Sequence, residues 1–160
     1  MPREARARRI ALTAGLVSFL SVGLIGSLIA IFPDIWVNIF TQDPGVRAAS
    51  RQYLSTAAPM YAFIGLAMSM YFSSQGAAKV LGPVLAQTAR LVFIGLGGRW
   101  LSMHQAAAAD FFLLAAASMV VLGVLSASSV VLTRWGPKAA AIARARPAGA
   151  SAFSSYQRRR

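Results

Sequence analysis

The side chains that could do chemistry in this 160-residue chain are few, and they are not spaced for catalysis. The sequence has no cysteine, one histidine (His104), and four acids: Glu4, Asp34, Asp43 and Asp110. None of these residues forms a metal-ligand pair, a general acid and base pair, a phosphate-binding loop or a nucleophile motif. The lack of cysteine excludes disulfides, thiolate metal sites and cysteine nucleophiles. We therefore expect a protein that is not an enzyme and that holds no cofactor or metal.

Five residues inside apolar segments are better candidates for a function. Arg90 interrupts such a segment, where a charged side chain is costly and usually faces protein or water. The alternative is that its side chain snorkels back to the lipid head groups. Met60, Tyr61, Ile64 and Met68 recur at helical spacing. Methionine adapts its shape and tyrosine offers a cation–π face, so this stripe could line a cavity for apolar cations; packed core or lipid contact is the alternative.

Small residues at helical spacing form a second pattern. Gly23 and Ser27 are four residues apart in one apolar segment, and Gly123 and Ala127 are four apart in another. Small residues at this spacing allow two membrane helices to approach closely. We expect these four residues to serve helix packing.

The elements that must position these residues are four apolar helices. The chain is 57% hydrophobic and only 12% charged, with a mean hydropathy of +0.59, whereas soluble domains carry about 25% charged residues. A membrane helix needs about 20 apolar residues, which predicts spans at about 10–32, 54–72, 83–101 and 111–133. Pro59 predicts a kink in the second span, with a short interfacial helix before it. The fold class is therefore all-α and polytopic.

The basic residues set the predicted orientation. The net charge is +12, and most Lys and Arg flank the predicted spans on one side, in the N-terminal segment 1–9 and in the tail 134–160. The positive-inside rule then places both termini in the cytoplasm. Because these charges flank spans, we expect the lipid bilayer as partner and no nucleic acid. The tail lacks an apolar face and is predicted to be disordered. The richness in Arg, Ala and Gly suggests a bacterial inner membrane.

Several segments, taken in order, resemble the C-terminal part of MATE (multidrug and toxic compound extrusion) transporters. They are RARRIALTAGL, IFTQDPGVRAASRQYL, APMYAF, SSQGAAKVLGP and ARLVF. The resemblance extends over nearly the whole chain except its tail. It implies a fold of twelve helices in two six-helix lobes, of which the four predicted spans would be the last four.

The resemblance also implies a function. Family members export amphipathic, mostly cationic compounds in exchange for Na⁺ or H⁺, by alternating access of a cavity between the lobes. Some use an acid one turn after a tyrosine in cation coupling. Tyr61 matches that tyrosine, but Gly65 stands where the acid would be, so the coupling ion would not be bound by an acid of this chain. Because the other eight helices are missing from the sequence, we expect a truncated product, inactive alone, that takes small-molecule cations only when the missing lobe completes it. Half of a split transporter is the less favoured alternative.

Two alternatives stay open. A related flippase for lipid-linked sugars would need several cationic residues on cavity-facing helices, to bind pyrophosphate, and only Arg90 qualifies. A self-contained four-helix membrane subunit or scaffold would have its polar groups satisfied within the four helices.

Overall fold

The computed structural model describes residues 3–76 and 80–132, and this part of the chain is almost entirely helical. No β-strand occurs within these ranges. The elements, in chain order, are α1 (Arg3–Ile31), α2 (Pro33–Phe40), α3 (Pro44–Ala57), a 3₁₀ turn (Ala58–Met60), α4 (Tyr61–Gly76), α5 (Leu81–Met103) and α6 (Ala108–Leu132). The predicted disordered tail at 134–160 lies outside the described residues.

Within the described ranges, three helices are long and apolar enough to cross a membrane: the part of α1 from Arg6 to Ile31, α5 and α6. They coincide with the predicted spans 10–32, 83–101 and 111–133. α1 begins earlier than predicted, because the Arg and Ala residues before Ile10 are strong helix formers and continue the helix past the apolar stretch. The prediction of an all-α membrane protein is confirmed.

The second predicted span, 54–72, is not one continuous α-helix. Pro59 has no N–H to donate to the helical ladder, and the chain forms the 3₁₀ turn between α3 and α4 at this proline. The expected kink is therefore present. α4 alone has 16 residues, which extend about 24 Å, less than the ~30 Å hydrocarbon core. The count of four spans stays a prediction.

α2 and α3 form a compact connection between α1 and α4. The Asp43 carboxylate caps α3 by accepting a hydrogen bond from the Val46 N–H at 2.9 Å, and Pro44 occupies the first turn. An ion pair joins Arg51 of α3 to Asp34 of α2. Both side chains of the pair are about half exposed, so it orients the two helices but contributes little to stability.

α4 lies between α1 and α6, whereas α5 packs on α6 and has little contact with α4. The start of α1, the end of α4 and the end of α6 meet in one cluster of buried side chains: Ala11, Met70 and Val130. The two ends of the long helical region therefore lie on the same side of the molecule.

Glycines bring these helices together at backbone distance. A Cβ placed on Gly65 would lie 2.9 Å from the Ser18 carbonyl oxygen, and one on Gly23 would lie 3.0 Å from the Ala62 Cβ. Gly26 lies directly against the Ala58 carbonyl group. On the other side of α4, a Cβ on Gly123 would lie 2.8 Å from the Phe63 Cβ. We call these four glycines, Gly23, Gly26, Gly65 and Gly123, the glycine seam.

The other two predicted packing residues, Ser27 of α1 and Ala127 of α6, are half-buried. The geometry thus places Gly23 and Gly123 at contacts with α4, the role expected of small residues in membrane helices.

The seam yields a prediction with a matched control. Gly65→Ala inserts a methyl group against backbone and should lower the free energy of unfolding by about 1–3 kcal/mol. Gly95→Ala inserts the same group where nothing lies within 4 Å, and should be neutral or stabilising by up to about 1 kcal/mol, because alanine is the better helix former. Thermal unfolding of both variants in detergent micelles tests this, and equal destabilisation of the two would contradict the packing.

The turn from α5 to α6 yields a second prediction. Gln105 has φ of 48°, and it follows the helix end in a Schellman motif: its N–H donates to the Ser102 carbonyl at 3.3 Å, and the Ala106 N–H donates to the Leu101 carbonyl at 3.1 Å. Glycine is preferred at this left-handed position. Gln105→Gly should therefore stabilise the protein by about 1 kcal/mol, whereas Gln105→Ala should not. The melting temperatures of the two variants and the native chain test this prediction. A melting temperature of Gln105→Gly below that of the native chain would contradict the assignment of a Schellman motif.

Candidate functional site

A small cleft between α4, α5 and α6 brings together three of the five predicted cavity residues. Ile64, Met68 and Arg90 line it, and its volume is about 50 Å³. The remaining lining residues are Ala67, Tyr71, Pro83, Gln87, Leu122 and Ser126. We call this space the polar cleft, because it combines a guanidinium group, an amide and two hydroxyl groups at membrane depth.

The register of α5 against α6 shows where Arg90 lies. A Cβ on Gly82 would lie 2.6 Å from the Ser129 Cβ, and one on Gly97 would lie 2.6 Å from Leu114 Cδ1. These two contacts fix an antiparallel alignment in which Ser118 is level with Phe93. Ser118 is therefore about 4.5 Å further from the start of α5 than Arg90 is.

Arg90 reaches in that direction. Its Nε donates a hydrogen bond to Ser118 Oγ at 3.3 Å, and the buried Ser118 hydroxyl donates to the Ala115 carbonyl oxygen at 2.6 Å. The hydrogen bond draws the guanidinium group towards the middle of α6 and away from the start of α5. The side chain of Arg90 therefore contacts α6, as expected of an arginine that faces protein.

The three acids whose side chains the structure describes lie away from the polar cleft. Asp34 pairs with Arg51, Asp43 caps α3, and Asp110 accepts a hydrogen bond from the Ala107 N–H at the start of α6, at 3.0 Å. Among the described cleft-lining residues there is thus no carboxylate to balance the charge of Arg90.

The one histidine of the sequence, His104, contacts the end of α5. The ring of His104 lies on that of Trp100, with the centroids 4.5 Å apart, and its Nδ1 is 2.9 Å from the Trp100 carbonyl oxygen. No group of three or more potential metal ligands occurs among the described residues.

The other two predicted cavity residues, Met60 and Tyr61, do not line the polar cleft. Met60 lies in the 3₁₀ turn. Tyr61 interacts with Tyr53 through its side chain. Gly65, which stands where the resemblance would place an acid, is buried against α1, and a Cβ there would lie 2.8 Å from Val22 Cγ2. A carboxylate at position 65 would therefore require α1 and α4 to separate.

Sequence reasoning missed Gln87 and Ser126 of the polar cleft. The spacing in the sequence could have identified Gln87, because it is three residues before Arg90 and therefore lies on the same face of α5. Ser126 is four residues after Leu122, on the same face of α6. The Ser126 side chain is buried, and its Oγ has no hydrogen-bond partner among the described residues.

A second, larger depression of about 640 Å³ lies between α2, α3 and the adjoining ends of α1 and α6. We call it the aromatic groove, after Trp36, Phe40, Tyr53 and Phe112. The Tyr53 and Phe112 rings meet edge to face, with centroids 5.5 Å apart. The remaining lining residues are Ile29, Val37, Thr41, Val46, Ala49, Ser50 and Leu54. No charged residue and none of the five predicted cavity residues is among the described residues that line it.

Comparison with known proteins identifies the family. The family model described as MatE matches residues 3–101, which include α1 to α4 and most of α5. No curated protein and no solved structure matches the chain. MatE proteins are membrane transporters, not enzymes. The family match covers more than half of the sequence and agrees with the order of the motifs and with the long apolar helices. The chain is therefore a membrane protein that belongs to the MatE family of transporters.

Proposed function

We propose that the chain forms part of an efflux transporter that exports amphipathic, mostly cationic compounds in exchange for Na⁺ or H⁺, by alternating access. The observation that carries this proposal is the aromatic groove. Its volume of about 640 Å³ lies within the roughly 300–1,000 Å³ of small-molecule pockets, which are mostly apolar. Aromatic faces attract organic cations. The groove thus suits a compound with an apolar body and a delocalised positive charge.

The aromatic residues of the groove come from three helices. Trp36 of α2 is 47% exposed and can turn a ring face to a ligand. Tyr53 of α3 and Phe112 of α6 hold each other in place. Two acids near groove residues in the sequence are already engaged, because Asp34 is paired with Arg51 and Asp43 accepts the Val46 N–H. We therefore propose that a bound cation is held by ring faces and apolar contact, not by an ion pair.

Ion coupling is proposed to depend on residues beyond the described helices. Position 65 has no room for an acid, and the side chains of the described acids cap or pair at helix ends, as given above. A site for the coupling ion on another transmembrane segment is compatible with both observations.

We further propose that transport requires additional transmembrane segments. Alternating access needs two walls around a cavity, whereas the polar cleft, about 50 Å³, is far smaller than a drug-sized pocket. α1 and α5 also expose large apolar side chains that must meet lipid or other helices, including Leu20, Leu24, Leu91 and Leu96.

The proposed setting is a bacterial inner membrane, with four crossings and both termini in the cytoplasm. The support for a fourth crossing is that α3, the 3₁₀ turn and α4 run beside α6, with Tyr53 near Phe112 and Phe63 near Gly123. The start of α1 and the end of α6 meet at Ala11 and Val130, which supports termini on one side.

The two alternative functions have less support. A flippase for lipid-linked sugars would need several cations to bind pyrophosphate, and Arg90 is the one cation among the described residues of the polar cleft. A self-contained scaffold would have its buried polar groups satisfied, and the Ser126 hydroxyl lacks a partner among the described residues.

Binding of radiolabelled tetraphenylphosphonium to the purified chain, measured by equilibrium dialysis, tests the proposal. Trp36→Leu removes a ring face but keeps apolar area, and we expect it to weaken binding about fivefold, in line with a cation–π contribution. Trp100→Leu is the matched control, because Trp100 lies on α5 outside the groove and is exposed. Absence of binding, or equal affinities for the two variants and the native chain, would contradict the groove as the substrate site.

A second experiment addresses transport. When the 160-residue chain is produced alone in an efflux-deficient bacterium, we expect tetraphenylphosphonium accumulation to equal that of cells with an empty vector. Co-production with the first eight helices of a MatE transporter should lower accumulation. Export by the chain alone would contradict the need for further segments.

A further inference from the structure

We propose that the polar cleft is a binding site for a small monovalent anion, held by Arg90. The ligand class is chloride or a single carboxylate group. This site is separate from the aromatic groove and does not depend on the proposed transport function.

The polar side chains of the cleft are hydrogen-bond donors. Arg90 presents a guanidinium group, Gln87 an amide, and Tyr71 and Ser126 hydroxyl groups. The hydrogen bond to Ser118 uses Nε of Arg90, and the terminal amino groups of the guanidinium have no hydrogen-bond partner among the described residues. A set of donors around one positive charge, with no carboxylate among the described lining residues, selects an anion.

Ser126 is an independent sign of a ligand. Its side chain is 1% exposed, it lines the cleft, and its Oγ has no hydrogen-bond partner among the described residues. Leaving a buried hydroxyl unsatisfied is costly, and an anion in the cleft would accept its hydrogen bond. The hydroxyl therefore marks a place in the cleft where an anion would gain a hydrogen bond.

Size and depth restrict the ligand further. A volume of about 50 Å³ holds one small ion or one to two water molecules, each of which occupies about 30 Å³ in the liquid. Arg90 is nine residues after Leu81, about 13 Å along α5. A charge at such depth is normally paired. A monovalent anion would supply the counter-charge that the described cleft residues lack.

The test is equilibrium dialysis of the full 160-residue chain in detergent with radioactive chloride, in a HEPES buffer whose ionic strength is held constant with sodium sulfate, so that no carboxylate and no organic cation is present. We expect saturable binding of one chloride per chain, displaced by acetate. Arg90→Gln should weaken binding at least about tenfold, and Ser126→Ala about threefold. Arg99→Gln is the matched control, because Arg99 is an exposed arginine on the same helix outside the cleft, and it should bind as the native chain does.

Several results would overturn the proposal. Absence of saturable binding of both chloride and acetate would indicate a cleft filled by water. Equal losses in Arg90→Gln and Arg99→Gln would indicate a general effect of net charge. If Arg90→Gln does not fold, Ser126→Ala decides, since it removes only an unpartnered hydroxyl, and unchanged chloride affinity in that variant contradicts the site. Saturable binding of acetate without chloride would support the site and assign it to carboxylate groups.

Failure of this proposal is distinguishable from failure of the proposed function. Trp36→Leu should leave chloride binding unchanged, because Trp36 does not line the polar cleft. Chloride binding with no tetraphenylphosphonium binding would retain the anion site and reject the groove as the substrate site, and the reverse result would reject the anion site alone.

Discussion

The close approach of α1 and α6 to α4 is the interaction on which the rest of the structure depends. Lipid tails are as apolar as leucine, so membrane helices associate through van der Waals packing and small residues and not through the hydrophobic effect. The glycine seam supplies that packing: Gly65 lies against the backbone of Ser18, and Gly123 lies against Phe63. The turn at Pro59 belongs to the same interface, because it brings the Ala58 carbonyl group to Gly26. A larger side chain at Gly65 or Gly123 would push α4 away from α1 or α6 and would change the sites between these helices.

Both candidate sites lie in spaces between helices that the glycine seam does not close. α5 is held by α6 and has little contact with α4, so a gap persists between α4 and α5, and Arg90 and Gln87 face it. At the other end of α6, α2 and α3 pack across the ends of α1 and α6 and leave the aromatic groove. One site has donors and a positive charge, whereas the other has ring faces and no charge. The two proposed sites would therefore select ligands of opposite charge, and no acid is among the described residues that line either one.

The sequence predicted the long helices well, because a bilayer of fixed thickness sets the length of an apolar stretch. It also predicted the break at Pro59, which follows from the missing N–H. α4 begins only at Tyr61 because the 3₁₀ turn at Pro59 separates it from α3, whereas the hydropathy pattern predicted a single span across this proline. The helical spacing in the sequence placed Tyr61 on the same stripe as Ile64 and Met68. In the structure, the Tyr61 side chain interacts with Tyr53 and lies outside the polar cleft. The direction of Arg90 depends on the register of α5 and α6, and the aromatic groove joins residues as distant as Trp36 and Phe112, so neither was predictable from the sequence.

The proposed sites and topology require the helical segment Pro44–Gly76 to cross the bilayer beside α6. The chain has no cysteine, so single cysteines can be placed at Ala48 of α3, at Gln75 near the end of α4 and at Ala107 between α5 and α6, and labelled with a membrane-impermeant maleimide in intact cells. The account predicts that Ala48→Cys and Ala107→Cys are labelled, and that Gln75→Cys is labelled only after the membrane is permeabilised. Labelling of Gln75→Cys in intact cells, to the extent seen for Ala107→Cys, would contradict it.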